Sequence, residues 1–336
     1  MSRSIRFFLN ALAVVLLLFL AGCDRTEPPA SDGGSPAPER AGEPKRKLHF
    51  AFVTNAVSNF WTIAKKGVDD AVGEFGVEVD FRMPPTSAIA EQKTIIEEAF
   101  NKGIDGITVS PIDAANQTEF LNSIAKYIPL LCHDSDAPDS DRLAYVGTDN
   151  YEAGREAGKL VKEVLPEGGK IMLFVGRLDA QNAQDRKRGI EDETQGTGIE
   201  IVDTRTDGTD TAKARSNAED ALVAYPDLKC LVGLWSYNGP ALADALKGSG
   251  KVGDVEIVCF DEEKETLQAI LDGVIHGTVV QQPYQMGYQT IRLLTEIAKG
   301  HREIIPENRF VDTGLQVLRK DNVQAFWDEF KRLTGE

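Results

Sequence analysis

The feature that most constrains this chain is a change of hydrophobic period repeated along it. From Leu48 onward, short apolar runs of strand length alternate with amphipathic stretches of helical length. Such alternation builds parallel sheets, because each helix carries the chain back to the start of the next strand. The strand candidates are Leu48–Thr54, Val77–Phe81, Gly106–Ser110, Ile128–Cys132, Leu143–Gly147, Lys170–Val175, Ile199–Thr204, Leu228–Gly233, Val255–Phe260 and Gly277–Gln281. Helix candidates between them include Phe60–Phe75, Ile89–Asn101, Glu152–Leu165, Ala212–Tyr225 and Glu263–Asp272. Gly76, Gly103 and Gly273 stand just past helix candidates, where a left-handed residue closes a helix. Ten parallel strands suit two sheets better than one, so the expected class is α/β with two Rossmann-like lobes. No flexible spacer interrupts the middle of the chain. The crossovers are therefore expected to pass between the lobes several times, so that the lobes hinge rather than tumble.

The first residues have a different logic. Arg3 and Arg6 precede an apolar run from Phe7 to Leu20 broken only by Asn10, and small residues follow, which is the build of a secretory signal peptide. A run of about fourteen residues falls short of the ~20 that span a bilayer as a helix. The run ends in Leu20-Ala21-Gly22-Cys23, which resembles a bacterial lipobox, whose cysteine thiol is acylated and becomes the new amino terminus. Several acyl chains together hold a protein firmly at a membrane. Asp24 is similar to the inner-membrane retention signal of enterobacterial lipoproteins. The segment Asp24–Pro44 is dense in Pro, Gly, Ser, Ala, Asp and Glu without apolar periodicity, so it reads as a tether.

Charge narrows the partners. Two of the 37 Lys+Arg and none of the 53 Asp+Glu lie in residues 1–22, leaving 35 against 53 and a side-chain balance of −18. A surface so acidic repels phosphate backbones, and signal and linker occupy the place of a helix-turn-helix, so nucleic-acid binding is not expected. Beyond Cys23 the cysteines are Cys132, Cys230 and Cys259, each in or at the end of an apolar run. They read as buried small hydrophobes, with a Cys230–Cys259 bridge as the alternative in an oxidising envelope.

In open parallel sheets ligands bind beyond the carboxyl ends of the strands. In the amino-terminal half those ends are followed by Ser58-Asn59-Phe60-Trp61, Ser110-Pro111-Ile112-Asp113 and His133-Asp134-Ser135-Asp136. Later ends carry Asp179-Ala180-Gln181-Asn182 with Gln184 and Arg186, then Trp235-Ser236-Tyr237-Asn238, Asp261-Glu262 and Gln281-Gln282-Pro283. Aromatic rings stack on the C–H face of a pyranose while carboxylates and amides bond its hydroxyls, so the set suits a sugar. Asp113 and Asp149 read better as helix N-caps than as ligands. One of Phe60 and Trp61 can face the core, and at least one is expected in the cleft. Arg186 is either a cleft residue or a surface ion pair with Asp185.

The order Ser58-Asn59-Phe60-Trp61, Ser110-Pro111-Ile112-Asp113, His133-Asp134, Gly147-Thr148-Asp149-Asn150, Cys259-Phe260-Asp261 and Val280-Gln281-Gln282-Pro283 resembles the ribose-binding-protein-like branch of periplasmic sugar-binding proteins. The resemblance runs over nearly all of Leu48–Glu336, and it lies in order and spacing together rather than in any one piece. It implies the type I solute-binding fold, with lobes joined by a three-segment hinge near Gly147–Asp149, Gln281–Pro283 and Asn308–Asp312. Lobe I would be residues 48–147 plus 283–309, and lobe II residues 148–282 plus 310–336, after a leader (1–22) and a lipidated cysteine with linker (23–47). It also implies that the tandem aromatics sandwich a sugar ring and that Asp134, Asp261 and Gln281 bind hydroxyls. The sequence departs from ribose-type sites in carrying Ser135 and Gln184 where they have arginines. Leu234-Trp235-Ser236-Tyr237-Asn238-Gly239-Pro240 replaces their Asn-Asp pair. These departures point away from ribose toward a larger hexose, a polyol or a substituted sugar.

The candidate ligand-binding set is thus Ser58, Asn59, Phe60, Trp61, Ser110, Asp134, Ser135, Asn182, Gln184, Arg186, Trp235, Tyr237, Asn238, Asp261 and Gln281, with lipidation at Cys23. No G-x-S-x-G, no phosphate-cradling loop and no metal-spaced pair among His49, His133, His276 and His301 supports an enzyme, and no cofactor or metal is expected. Asp134 with Asp261 could form a glycosidase pair, but each also serves as a hydroxyl acceptor. The expected function is that of a monomeric, lipid-anchored substrate-binding protein in the cell envelope, facing the periplasm. It would deliver a monosaccharide or related polyol to an ABC permease in the inner membrane, touching the membrane by its lipid alone. The alternative is a sensory module that presents a small ligand to a receptor or kinase.

Overall fold

The computed structural model describes residues 46–334. The leader, the lipobox with Cys23, and the linker as far as Lys45 lie outside the described residues. All ten strand candidates form, with ends moved by no more than two residues, and they fall into two sheets. The first contains β1 (His49–Val53), β2 (Glu78–Arg82), β3 (Gly106–Val109), β4 (Leu130–His133) and β5 (Ala144–Gly147). The second contains β6 (Gly169–Val175), β7 (Ile199–Thr206), β8 (Leu228–Gly233), β9 (Glu256–Phe260) and β10 (Gly277–Val280). Two short strands complete them: β11 (Phe310–Asp312) joins the first sheet beside β5, and β12 (Gln316–Arg319) joins the second, antiparallel to β10. Strand order is β2-β1-β3-β4-β5-β11 in one and β7-β6-β8-β9-β10-β12 in the other, so the lobes repeat one strand order and differ in the direction of the last strand.

The apolar runs are continuous because helices cover both faces of each sheet. Phe50, Phe52, Ile107, Leu130, Leu131 and Val146 in the first sheet, and Leu173, Leu231, Val258 and Val279 in the second, are wholly buried. In the first lobe α1 (Asn59–Phe75), α2 (Ile89–Asn101) and α3 (Ala114–Ala125) follow β1, β2 and β3. In the second, α5 (Gln181–Thr194), α6 (Thr211–Ala224), α7 (Asn238–Ser249) and α8 (Lys264–Leu271) follow β6 to β9. Gly76, Gly103 and Gly273 each take a positive φ, as their places after α1, α2 and α8 require. Asp113 and Asp149 accept hydrogen bonds from Asn116 N and from Tyr151 and Glu152 N, so both are N-caps. A last helix, α10 (Val323–Thr334), packs on α8 and β12.

The remaining helices carry the chain between lobes. After β5 the chain crosses and forms α4 (Asn150–Val164) against α5; after β10 it crosses back and forms α9 (Pro283–Ala298) against α1. The third crossing runs from β11 to β12 through residues 313–315. It lies later than the expected boundary between 309 and 310, because Phe310, Val311 and Asp312 pair with Tyr145, Val146 and Gly147 and the Phe310 ring stacks on Tyr145. The crossings are tied to one another: Thr148 Oγ1 donates to Gly314 O at 3.1 Å and Thr313 N to Gly147 O at 2.9 Å.

The three cysteines of the described residues are unpaired and buried. Parallel pairing sets Cys230 opposite Glu256 rather than Cys259, so the alternative bridge does not form.

Each crossover helix meets the first helix of its lobe through two glycines. A Cβ at Gly67 would lie 2.0 Å from Tyr284 O, and one at Gly287 would lie 2.0 Å from Ala64 O. In the other lobe a Cβ at Gly154 would lie 2.2 Å from Arg186 O, and one at Gly189 would lie 2.2 Å from Tyr151 O. Gly73 lies on α1 as well, with nothing within 4 Å of its added Cβ. Gly67→Ala is therefore expected to destabilise the protein by about 1–3 kcal/mol, and Gly73→Ala to stabilise it by about 0.5–1 kcal/mol. Urea midpoints of the two variants should move in opposite directions, and movement in the same direction would contradict this packing.

Candidate functional site

In both lobes the strand order reverses beside the first strand, between β1 and β3 and between β6 and β8. Loops leaving the carboxyl ends diverge at such a point and open a crevice. The two crevices face one another across a cavity of about 640 Å³. Lobe I supplies Asn55, Ser58, Asn59, Phe60, Trp61 and Asp134, and lobe II supplies Asn182, Arg186, Trp235, Tyr237 and Asp261. Gln281, in the second crossing, also lines it.

Asp134 and Asp261 hold equivalent places, each directly after the fourth strand of its lobe, β4 and β9. Both have left-handed backbones, with φ of 59° and 68°. For a residue other than glycine this conformation costs about 1–2 kcal/mol, and it persists only where surrounding bonds enforce it. The Asp134 carbonyl accepts from Tyr145 Oη at 2.9 Å and Asn150 Nδ2 at 3.2 Å, and the Asp261 carbonyl from Thr278 Oγ1 at 2.9 Å. On the Asp134 carboxylate, Ser110 Oγ, Asn55 Nδ2 and Asn182 Nδ2 converge on Oδ2 at 2.9, 3.3 and 3.4 Å. Asp261 Oδ1 accepts from Gln281 Nε2 at 2.9 Å.

Arg186 stands between them and is 1% exposed, so it is no surface ion pair. Its Nε donates to Asn150 Oδ1 at 2.8 Å and its Nη1 to Leu234 O at 2.6 Å, with Asp261 Oδ2 3.9 Å from Nη1. The guanidinium lies 4.4 Å from the centre of the Phe260 ring. Its Nη2 is buried without a partner, as are Asn182 Oδ1, Gln281 Oε1 and Trp235 Nε1. Two donors and two acceptors are thus left unpaired on residues that line one cavity, where each unpaired group costs about 1–3 kcal/mol.

Both members of the tandem pair line the cavity, and both are largely buried. Phe60 and Trp61 meet edge to face at 4.9 Å, and Trp61 is backed by Phe52 and His133. Burial pushes the His133 imidazole down to about 3, so it is neutral. Across the cavity Tyr237 donates to Asp207 Oδ1 at 2.6 Å, and Trp235 packs where a Cβ on Gly176 would lie 2.1 Å from its ring. Glycine at 176 is what gives the indole its seat.

Four other candidates sit away from the cavity surface. Ser110 stands behind Asp134 as its donor, and Ser135 Oγ accepts from Asn182 N at 3.5 Å. Asn238 turns back to Trp235 N and Asp207, holding the loop after β8. Gln184 is exposed and donates to Leu178 O at 3.0 Å. Residues that the sequence reading did not single out are Asn55, Met83, Arg215, Asp244, Glu263 and Glu265 in the wall, and Asn150 beneath Arg186.

Burial raises the Asp134 carboxyl to about 6, with Arg186 the chief opposing influence, and burial raises Asp261 as well. A carboxyl more easily protonated in the fold than in the unfolded chain lowers stability as pH rises from its ordinary value near 3.8 through about 6. Asp134→Asn is therefore expected to stabilise the ligand-free protein at pH 7.5 by on the order of 2–3 kcal/mol. That gain should vanish near pH 4, as read from urea midpoints at the two pH values. A gain that did not change with pH would refute the burial of this charge.

Comparison with known proteins agrees with this architecture. Residues 50–302 match the family model of the periplasmic binding protein domain. The D-allose-binding periplasmic protein of Escherichia coli K12 is 26% identical over 280 residues, 79% of this chain and 90% of its own. The crystal structure of a glucose-galactose binding protein from Geobacillus stearothermophilus superposes with a TM-score of 0.79 at 31% identity, covering 83% of this chain and 99% of that one. An ABC-transporter solute-binding protein from Burkholderia graminis C4D1M, in complex with D-arabinose, gives 0.78 at 28% identity over 84% of this chain and 99% of its own. Two repeated lobes, three crossings and a cleft walled by strand ends have the form of one family, and the chain belongs to the periplasmic binding protein domain family.

Proposed function

We propose that the cleft binds a sugar or related polyol and that closure of the lobes on it presents the loaded protein to an ABC permease. The observation that carries this reading is the mixture of unpaired donors and acceptors, Arg186 Nη2 and Trp235 Nε1 with Asn182 Oδ1 and Gln281 Oε1. A hydroxyl both donates and accepts, so a polyhydroxylated ligand suits both kinds of atom. A phosphate would meet Asp134 and Asp261, and an ammonium ion would meet Arg186. Phe60, Trp61, Trp235 and Tyr237 supply the apolar faces on which C–H bonds of a sugar ring pack. The relatives named for D-allose and for glucose-galactose, and the solute-binding protein in complex with D-arabinose, support the same ligand class.

No chemical step is required of such a site. Closure is favoured because the ligand bonds groups of both lobes at once. The lobes already meet through Asn59 Nδ2 to Glu263 Oε2 at 2.8 Å and Asn182 Nδ2 to Asp134 Oδ2 at 3.4 Å. Lobe I comprises residues 48–147 with 283–312, and lobe II comprises 148–282 with 316–334. Asp134→Ala and Asp261→Ala are each expected to weaken binding about 10- to 100-fold, the worth of a hydrogen bond to a charged group. Gln184→Ala should leave it unchanged. A thermal-shift screen of the mature protein against monosaccharides and polyols identifies the ligand, and titration calorimetry compares the variants. Unchanged affinity in both aspartate variants would sink the assignment.

The same reading places the protein at the membrane by lipid on Cys23, with the acidic, proline-rich linker giving the body its reach. In a bacterial host, detergent phase partition should move the chain from the detergent to the aqueous phase on Cys23→Ser. A parent protein already in the aqueous phase would contradict the anchor.

A further inference from the structure

We infer that the ligand is an amino sugar, a single ring in the main cavity whose ammonium group sits in a side pocket walled by Glu262 and Glu263. This rests on the sugar reading above and adds a charge to it. The side pocket lies between the start of α1 and the loop after β9, with Phe330 of α10 in its wall. Asn59, Phe60, Ser236, Asp261 and Glu263 line both spaces, so the two are joined. Consecutive Cα atoms lie about 3.8 Å apart, which places Asp261 and Glu263 within about 7 Å of one another. A ring that bonds Asp261 through a hydroxyl therefore needs no second ring to reach Glu263.

The side pocket is acidic without matching bases. Asp261, Glu262, Glu263 and Glu265 line it against Lys264, whereas Arg186 and Arg215 line the main cavity alone. Lobe I treats the equivalent place differently. Asp136, two residues past Asp134, is paired with Arg142, while Glu263, two residues past Asp261, has no ion pair among the described residues and accepts from Asn59 Nδ2 at 2.8 Å. Glu262 is 5% exposed, and its Oε2 is buried without a partner. Burial, and after it the charges of Asp261 and Glu263, holds the Glu262 carboxyl well above its ordinary range, and burial raises Glu263 as well. A buried carboxylate is costly until a cation or a donor meets it. An ammonium group brings three donors and the missing charge, where a hydroxyl brings one donor and none. An amine and a hydroxyl at one ring position are therefore told apart here. The ring also keeps the ammonium away from Arg186, which does not line the side pocket.

The test is titration calorimetry of the mature protein near neutral pH with a panel of pentoses and hexoses. Each ring is offered in three forms that differ at one position, with a hydroxyl, an amine or an N-acetylated amine. The amine form of the preferred ring is expected to bind about tenfold or more tighter than the other two, the worth of a hydrogen bond to a charged group. In Glu263→Gln, and in the double variant Glu262→Gln with Glu263→Gln, that ratio is expected to fall about fivefold or more. Glu263 is partly exposed and glutamine keeps an acceptor for Asn59, so the single variant retains the fold. A hydroxyl form that binds within tenfold of the amine form, or more tightly, overturns the inference and leaves the sugar reading standing. A smaller fall of the ratio in both variants overturns the placement at Glu262 and Glu263. Failure of every sugar to bind, neutral or amine, overturns the sugar reading and the inference together.

Discussion

A guanidinium buried within electrostatic reach of two carboxylates is the interaction on which the cleft depends. Arg186 opposes the effect of burial on both Asp134 and Asp261, which come from different lobes. A charge that deep needs hydrogen-bond partners; Arg186 has them on Nε and Nη1, from Asn150 of the first crossing and the Leu234 carbonyl after β8, and keeps Nη2 open. Asn150, the first residue of α4, accepts from its Nε and donates to the carbonyls of Asp134 and Thr148. One amide therefore joins the first crossing, the lobe I aspartate and the lobe II arginine. Gly154, one turn further along α4, lets the helix close on the backbone of Arg186 itself.

The two lobes answer the same problem in the same way. Each takes its crossover helix from the partner sheet, seats it through paired glycines, and ends its fourth strand on an aspartate in a left-handed backbone. The local strain is held by hydrogen bonds to the aspartate carbonyls, so the carboxylates are fixed in place by the fold itself. Preorganisation of that kind lowers the ordering cost of binding. Because the aspartates lie on opposite lobes, a ligand that engages both couples occupancy to closure.

Most of the fold was legible because strands covered on both faces are apolar throughout, and that pattern survives in the sequence without tertiary information. The strands β11 and β12 were not, since three and four residues of mixed character have no period to read; their pairing comes from neighbours. Asp134 and Asp261 could be found as residues at strand ends. Asn182 and Arg186 lie four apart on α5 and share a face, whereas Gln184 lies two from each and points to solvent, a distinction that helical spacing already contained. Asn150 lay within a motif but behind an N-cap, and its role depends on a contact across the hinge. Arg215 and Asp244 were hidden because their place in one wall depends on how α6 packs on α7.

The most direct test of this account is a crystal structure of the mature protein with the ligand it retains. The account predicts ligand hydroxyls on Arg186 Nη2, Asn182 Oδ1, Gln281 Oε1 and both aspartates, with a ring face against the aromatic walls. A ligand bound in the cleft without touching Arg186, Asp134 or Asp261, or one bound elsewhere on the protein, would contradict it.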